Sequence, residues 1–121
     1  MDIIAKSADA LKPISGRGTI VRQGWYDEKC KECHVTLWVI GENNADHSDD
    51  DNEAERGIVQ VTIFSPQDEI ALRDEIVALM KKAGATYLGT DTDETKPQDG
   101  IYMKPLRFEF YEEVQENARN D

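Results

Sequence analysis

The hydrophobic patterning of this chain predicts an α+β fold, with a mostly antiparallel mixed sheet packed against two helices. Three observations carry that expectation. Val35, Leu37 and Val39, and later Val59, Val61 and Ile63, alternate with polar or outward residues at the period of a strand with one face in a core. Between Pro66 and Ala83 the apolar residues Leu72, Ile76, Leu79, Met80 and Ala83 fall instead at helical spacing. No internal repeat or linker divides the 121 residues. Residues 1–112 are therefore expected to form one domain, and residues 113–121 an acidic, flexible tail.

Taken in order, Asp2 to Leu11 places Ile3, Ile4, Ala8 and Leu11 on one side of a short amphipathic helix. Pro13 is expected to end it, because proline disfavours helix at the residue before it. Ser15-Gly16-Arg17-Gly18 reads as a turn. Thr19 to Trp25 is rich in β-formers and suits an edge strand. Tyr26 to Glu32 is polar and reads as a hairpin connection into the strand that ends near Gly41. From about 42 to 57 the chain is polar and without period, which predicts a mobile acidic loop. In the next strand Ile58 and Phe64 extend the outer face. Ser65-Pro66-Gln67-Asp68 then offers a capping serine, a proline at the first helical position and an acid in the first turn. Gly84 is a natural terminator for the helix Pro66 to Ala83. Thr86 to Gly89 is a short strand. Asp91 to Gly100 is a polar connection. Ile101 to Tyr111 is the last strand, with Leu106, Phe108 and Phe110 on one face. Pro105 points to an unpaired edge or a bulge there. Strands joined by short loops should pair antiparallel, and a crossover after Phe64 could insert one parallel neighbour.

The formal net charge is -11, from 25 acidic and 14 basic residues. Such a surface argues against sequence-specific nucleic-acid binding and against anionic membranes. The charge is uneven. Glu42 to Glu55 holds seven acids and no base, and Glu109 to Asp121 holds five acids and one base, Arg119. No apolar run approaches a bilayer span. The start Met1-Asp2-Ile3-Ile4-Ala5-Lys6 lacks the marks of an export signal. Two cysteines three apart are no disulfide framework, and a reducing cytosol is the simpler setting.

Cys30-Lys31-Glu32-Cys33-His34 spells the c-type haem attachment motif. The absence of an export signal and the strand that follows it argue against haem, so the match is read as coincidental. Cys30, Cys33 and His34 could instead supply part of a zinc site. A closed site needs four ligands, and His47 or a loop acid would have to complete it. A redox Cys-x-x-Cys opens a helix, whereas this one precedes a strand. Asp46-His47-Ser48-Asp49-Asp50-Asp51-Asn52-Glu53 has the oxygens for calcium but lacks the glycine and the closing spacing of a calcium loop. Gly16-Arg17-Gly18 lacks the Gly-Lys-Ser/Thr of a phosphate loop. Asp91, Asp93 and Glu94 have no partner base. No Ser/His/Asp grouping is visible, so an enzyme is not expected, and no cofactor is assigned.

Trp25, Trp38, Phe64, Phe108 and Phe110 occupy strand-like positions and are read mainly as core. Trp38 is the exception. Val35, Leu37 and Val39 claim the inner face, which leaves Trp38 beside Thr36 on the outer one, where it would mark a protein interface.

These segments together resemble a known family. Val59-Gln60-Val61-Thr62-Ile63-Phe64-Ser65 is similar to the "VQVDIWS" strand of small phage and prophage tail-module proteins. In that family a capped helix, a short strand and an acidic stretch follow, as Pro66 to Ala83, Ala85 to Leu88 and Asp91 to Asp93 do here. Asp99 to Phe110 looks like the closing "DTxLYHKxxRFxY" segment, and His34 to Asn43 looks like the upstream "YITFxxYNE" segment. The resemblance, from Asp2 to Tyr111, is to the tail-completion or tail-to-head joining proteins of siphoviral bacteriophages. It implies a fold like the lambda tail terminator and a non-enzymatic structural role. It also implies a ring, expected to be hexameric, whose partners are itself, the tail-tube protein and the head-connector protein. The location implied is the head-tail joint of the virion, with the host cytoplasm during assembly. DNA would pass through the lumen without specific binding. Trp38, Asp46, Asp49, Asp50, Asp51 and Glu53 are the expected interface or channel residues. Closing a ring would share sheet edges between subunits, and an acidic lumen would repel DNA. The acidic loop would order only on contact with a partner. Cys30 to His34 and the longer acidic loop depart from the family. They keep open a small zinc-binding protein, or an acidic protein-binding module, as alternatives.

Overall fold

A computed structural model describes residues 2–26, 29–44, 54–89 and 100–113. The fold is α+β, with three helices and one five-stranded mixed sheet. Helix α1 is Ile3–Ala10, α2 is Lys12–Ser15 and strand β1 is Ile20–Gln23. Strands β2 (His34–Asn44) and β3 (Ala54–Ser65) follow, then helix α3 (Ile70–Lys82) and strands β4 (Thr86–Gly89) and β5 (Tyr102–Glu113). The order across the sheet is β1-β2-β3-β5-β4.

Helix α1 starts where Asp2 Oδ1 accepts from the Ala5 amide at 3.0 Å. Its buried face runs through Ile3, Ser7 and Leu11, with Ala8 exposed, a correction of the expected stripe. Ser7 is tolerated there because its hydroxyl donates to the Ile3 carbonyl at 2.8 Å. Helix α1 ends ahead of Pro13, as expected, but the proline then opens a second short helix. It sits in the first turn of α2, where its missing N–H costs no helical bond.

The largest correction concerns β1. It does pair only with β2 at the sheet edge, but in parallel, with Ile20 opposite His34 and Gln23 opposite Leu37. Residues 24–33 are therefore a crossover and not a hairpin connection. Gly24 makes the exit possible: its φ of 130° suits glycine, and its amide donates to the Leu37 carbonyl at 3.0 Å. The crossover after Phe64 inserts no parallel neighbour beside β3, because β5 lies between β3 and β4 and pairs antiparallel with both.

Strand β2 runs on past Gly41, because the extra residue at Ile40 is absorbed as a bulge between Val39 and Gly41. Pairing then continues from Glu42–Gly57 to Asn44–Glu55, so both flanks of the expected acidic loop are strand. Residues 45–53, with Asp46, Asp49, Asp50, Asp51 and Glu53, lie outside the described residues. So do Asp91, Asp93, Glu94 and residues 114–121.

Helix α3 begins four residues later than its sequence implied. Ser65 does not cap it. The Ser65 hydroxyl accepts from the Gln67 amide at 3.1 Å and donates to Glu69 at 2.8 Å, closing a turn over Pro66. The helix ends as expected at Gly84, whose φ is 102°. The Ala85 amide reaches the Met80 carbonyl at 3.0 Å and the Gly84 amide reaches Lys81 at 2.9 Å, which is a Schellman closure. Pro105 pairs in register with Thr62, and β4 ends at Gly89 opposite Arg107. The flank of β5 near Pro105 thus has no strand beside it among the described residues, as the proline suggested.

One face of the sheet packs under the helices. Val35, Leu37, Val59, Val61, Ile63, Leu106, Phe108 and Phe110 meet Ile3, Leu11, Ile14, Leu72, Ile76 and Met80 in a single core. Lys104 lies on that same side, opposite Ile63 in the register. It is 6% exposed, and its Nζ lies 2.6 Å from Asp68, which ties the turn before α3 to β5.

Candidate functional site

Among the described residues, no helix packs on the other face of the sheet. Strand alternation sends His34, Thr36 and Trp38 to it from β2, and Phe64, Thr62, Gln60, Ile58 and Arg56 from β3. Antiparallel pairing adds Met103, Pro105, Arg107, Glu109 and Tyr111 from β5, and β1 adds Ile20 and Arg22.

The crossover covers one end of this face with aromatic side chains. Tyr26 tilts against Phe64 with centroids 4.9 Å apart, and His34 stacks on Phe64 at 5.2 Å. Trp25 meets Phe64 and Trp38 edge-on, each at 6.1 Å. Trp38 is 47% exposed, as expected from its place in the alternation, but Trp25 is 46% exposed and is not core. The reason is the crossover, which lays Trp25 over the sheet from outside. The two tryptophans thus form a half-open pair, and edge-to-face geometry is an arrangement their quadrupoles favour.

Polar groups line the rest. Gln60 Nε2 donates to Thr62 Oγ1 at 3.0 Å, and Arg107 Nε donates to Gln60 Oε1 at 3.2 Å. Arg56 pairs with Glu109 at 2.9 Å and lies over the Tyr111 ring at 5.8 Å. The buried Tyr26 hydroxyl, His34 Nε2 and Thr36 hydroxyl have no hydrogen-bond partner among the described residues, and all three belong to this face. Buried polar atoms are nearly always satisfied, so this surface holds polar capacity that the described residues do not use.

Cys33 and His34 are set on opposite sides of the sheet, so Cys30, Cys33 and His34 do not converge as three ligands. His34 is fully buried on the aromatic side, and its Nδ1 lies 2.9 Å from the Glu32 carbonyl, the donor role falling to the ring. Cys33 packs on the helix side against the core. It lines a cleft of about 340 Å³ with Arg17, Thr19, Glu69, Leu72 and Glu75. Burial pushes the Cys33 thiol up from its ordinary value, and the nearby Glu69 adds to that. Both thiols are free, and the Cys30 thiol lies 3.8 Å from the Glu32 carbonyl. No group of three or more His, Cys, Asp or Glu side chains is placed to hold a metal among the described residues. Arg17 bridges the cleft to Glu75 through two hydrogen bonds of 2.8 and 2.6 Å.

Trp25 was the member of this surface that sequence reasoning missed. The signal that could have found it was Gly24, a turn residue set just after the edge strand. Among the described residues, no helix is long and apolar enough to cross a membrane. No family model and no curated protein matches the chain.

Proposed function

We propose that the chain is a structural assembly protein that completes a phage or prophage tail tube and joins it to the head connector. In this reading it works as a ring, with a hexamer the expected size, and does no chemistry of its own. Its fold would share the lambda tail terminator's arrangement, and its place would be the head-tail joint, reached from the host cytoplasm. The observation that carries the reading is the sheet face that no described helix covers, where Trp25, Trp38 and Tyr111 stay 46%, 47% and 56% exposed. Large aromatic groups held open in this way are the usual anchors of protein contacts. A net charge of -11 suits a channel through which DNA slides without binding.

The test is native mass spectrometry of the purified chain, with and without tail tubes lacking their terminal ring, followed by electron microscopy of the tubes. A ring-sized oligomer on capped tube ends is the expected result. A chain that stays monomeric and leaves tube ends bare overturns the reading.

A further inference from the structure

Cys30 and Cys33 are the chain's two cysteines, and both are free and half-buried. They lie in the last stretch of the crossover, where it enters β2. The Cys30 sulfur is 3.8 Å from the Glu32 carbonyl oxygen, which belongs to the peptide that links Glu32 to Cys33. That carbonyl is itself held, since it takes the His34 ring at 2.9 Å. Across a planar trans peptide a carbonyl oxygen sits about 2.8 Å from the next Cα, so the Cys30 sulfur is within about 6.6 Å of the Cys33 Cα. The turn-back that a bridge between residues three apart requires is thus already made. Electrostatics agree with the geometry. Burial raises the Cys33 thiol most, Glu69 adds to that, and the Cys30 thiol adds again, which puts the two sulfurs within reach of each other's charge. The cleft beside Arg17, Glu69 and Glu75 opens Cys33 to solvent.

We infer that Cys30 and Cys33 are a redox pair, which closes into a disulfide on exchange with a small disulfide of the oxidised-glutathione class. The inference goes beyond the assembly reading and does not depend on it. Cys33 is packed against the core, so Cys30, in the connection, is the thiol that attacks first. Its thiolate attacks one sulfur of the small disulfide and expels the other half as a thiolate. A mixed disulfide is left on Cys30. The Cys33 thiolate then attacks the Cys30 sulfur and expels the second half. Two cysteine thiols are oxidised to one disulfide, the small disulfide is reduced to two thiols, and the cysteine protons end on the departing sulfurs. A catalytic pair of this spacing opens a helix, whose dipole keeps a reactive thiolate. Here the pair precedes a strand, and the raised Cys33 thiol is a poor leaving group, so the closed bridge reopens slowly. The pair is therefore a staple set by the redox state around the protein, and not a catalyst of exchange in other chains. It ties the end of the crossover to the start of β2, the segment that lays Trp25 and Tyr26 against Phe64.

The experiment equilibrates the full, reduced chain with mixtures of oxidised and reduced glutathione at neutral pH. Intact mass, free-thiol titration and thermal melts are the readouts. The mass should fall by two hydrogens, both thiols should disappear together, and no glutathione should stay attached. The closed fraction should follow the ratio of oxidised glutathione to the square of reduced glutathione, as the balanced exchange requires. Closure should raise Tm by roughly 5 °C, and a dithiol reductant should reverse it. By the same linkage, the equilibrium constant for closure should be about tenfold or more higher in the folded chain than in urea. Cys33→Ser should stop the sequence at the mixed disulfide on Cys30, and Cys30→Ser should gain its adduct much more slowly. Far-UV circular dichroism checks folding, and Cys30→Ser keeps the test valid if Cys33→Ser misfolds. A glutathione adduct that persists on wild-type Cys30 beside a free Cys33 thiol overturns the inference. So do disulfide-linked dimers in place of the internal bridge, or a closure constant no higher in the folded chain than in the unfolded one.

Discussion

Lys104 and Asp68 form a lopsided ion pair, and removing its two halves should have unequal costs. Nζ and Oδ1 are 2.6 Å apart, but the lysine side chain is 6% exposed and the aspartate 41%. Asp68→Ala leaves an ammonium buried without its counter-charge. Breaking a fully buried pair in this way costs about 3–5 kcal/mol, and water reaching the aspartate side lowers the expectation here to about 2–3 kcal/mol. Lys104→Met keeps the packing of the stem, removes the buried charge and leaves an aspartate that water can solvate. Its cost should resemble that of an exposed pair, about 0–1 kcal/mol. The double variant should then sit close to Lys104→Met alone, giving a coupling energy of about 2 kcal/mol. Urea unfolding at neutral pH, followed by tryptophan emission and far-UV circular dichroism, measures all three. For a chain of this size, Asp68→Ala should lower Tm by roughly 10 °C. An Asp68→Ala variant within about 0.5 kcal/mol of wild type, or a Lys104→Met variant costing more than it, would show that burial of the lysine does not set the energetics.

Three further outcomes are expected. Gly84→Ala should cost about 1–2 kcal/mol in thermal melts, because φ is 102° there while no atom lies within 4 Å of the added carbon, so the whole penalty is conformational. The hydrogen bonds from Arg17 hold Glu75 below the ordinary carboxylate range, so the stabilisation is present above that range and lost as pH falls through the lowered value. The Tm gap between wild type and Glu75→Gln should therefore close on acidification. In a Cys30→Ser background, Cys33 should react with a thiol-specific disulfide reagent more slowly than an unfolded chain does at neutral pH. The raised thiol favours its protonated form, so this contribution to stability is complete below the ordinary thiol range and lost as pH climbs through the raised value. Equal rates in folded and urea-unfolded protein would contradict that.

The helix-side core was legible because it obeys period. Val35, Leu37, Val59, Val61 and Ile63 alternate, Leu72, Ile76 and Met80 repeat with the helix, and all are buried where the pattern put them. Short-range chemistry was harder. Ser65-Pro66-Gln67-Asp68 has the composition of a helix start, yet Asp68 is drawn instead to Lys104, a partner 36 residues away that no local rule reveals. The parallel pairing of β1 was hidden for a similar reason. A ten-residue connection without periodicity fits a loose hairpin as well as a crossover. The difference is made by Tyr26 and Trp25 finding Phe64, and Phe64 itself read as an outer residue. The aromatic surface was therefore half visible: alternation gave Trp38, and tertiary contact gave Trp25.

The Cys-x-x-Cys-His spacing shows why a motif needs a matching secondary structure. In a strand, neighbouring side chains point to opposite faces, so a cysteine and a histidine in consecutive positions are separated by the sheet itself. At the entrance of β2 this puts Cys33 against the core and His34 in the aromatic stack. Hydrogen bonding then fixes the histidine side, where the Glu32 carbonyl takes the His34 ring. To converge on one ion, the chain would have to break the β1–β2 register at Ile20 and His34 and uncover Phe64. A fully buried histidine that packs beside Tyr26 and Phe64, which also touch each other, does more for the fold by holding the crossover down. On this argument the segment contributes by positioning Trp25 and Tyr26. Replacing both cysteines with serine should leave the tryptophan emission of the folded chain unchanged, whereas replacing His34 with alanine should shift it.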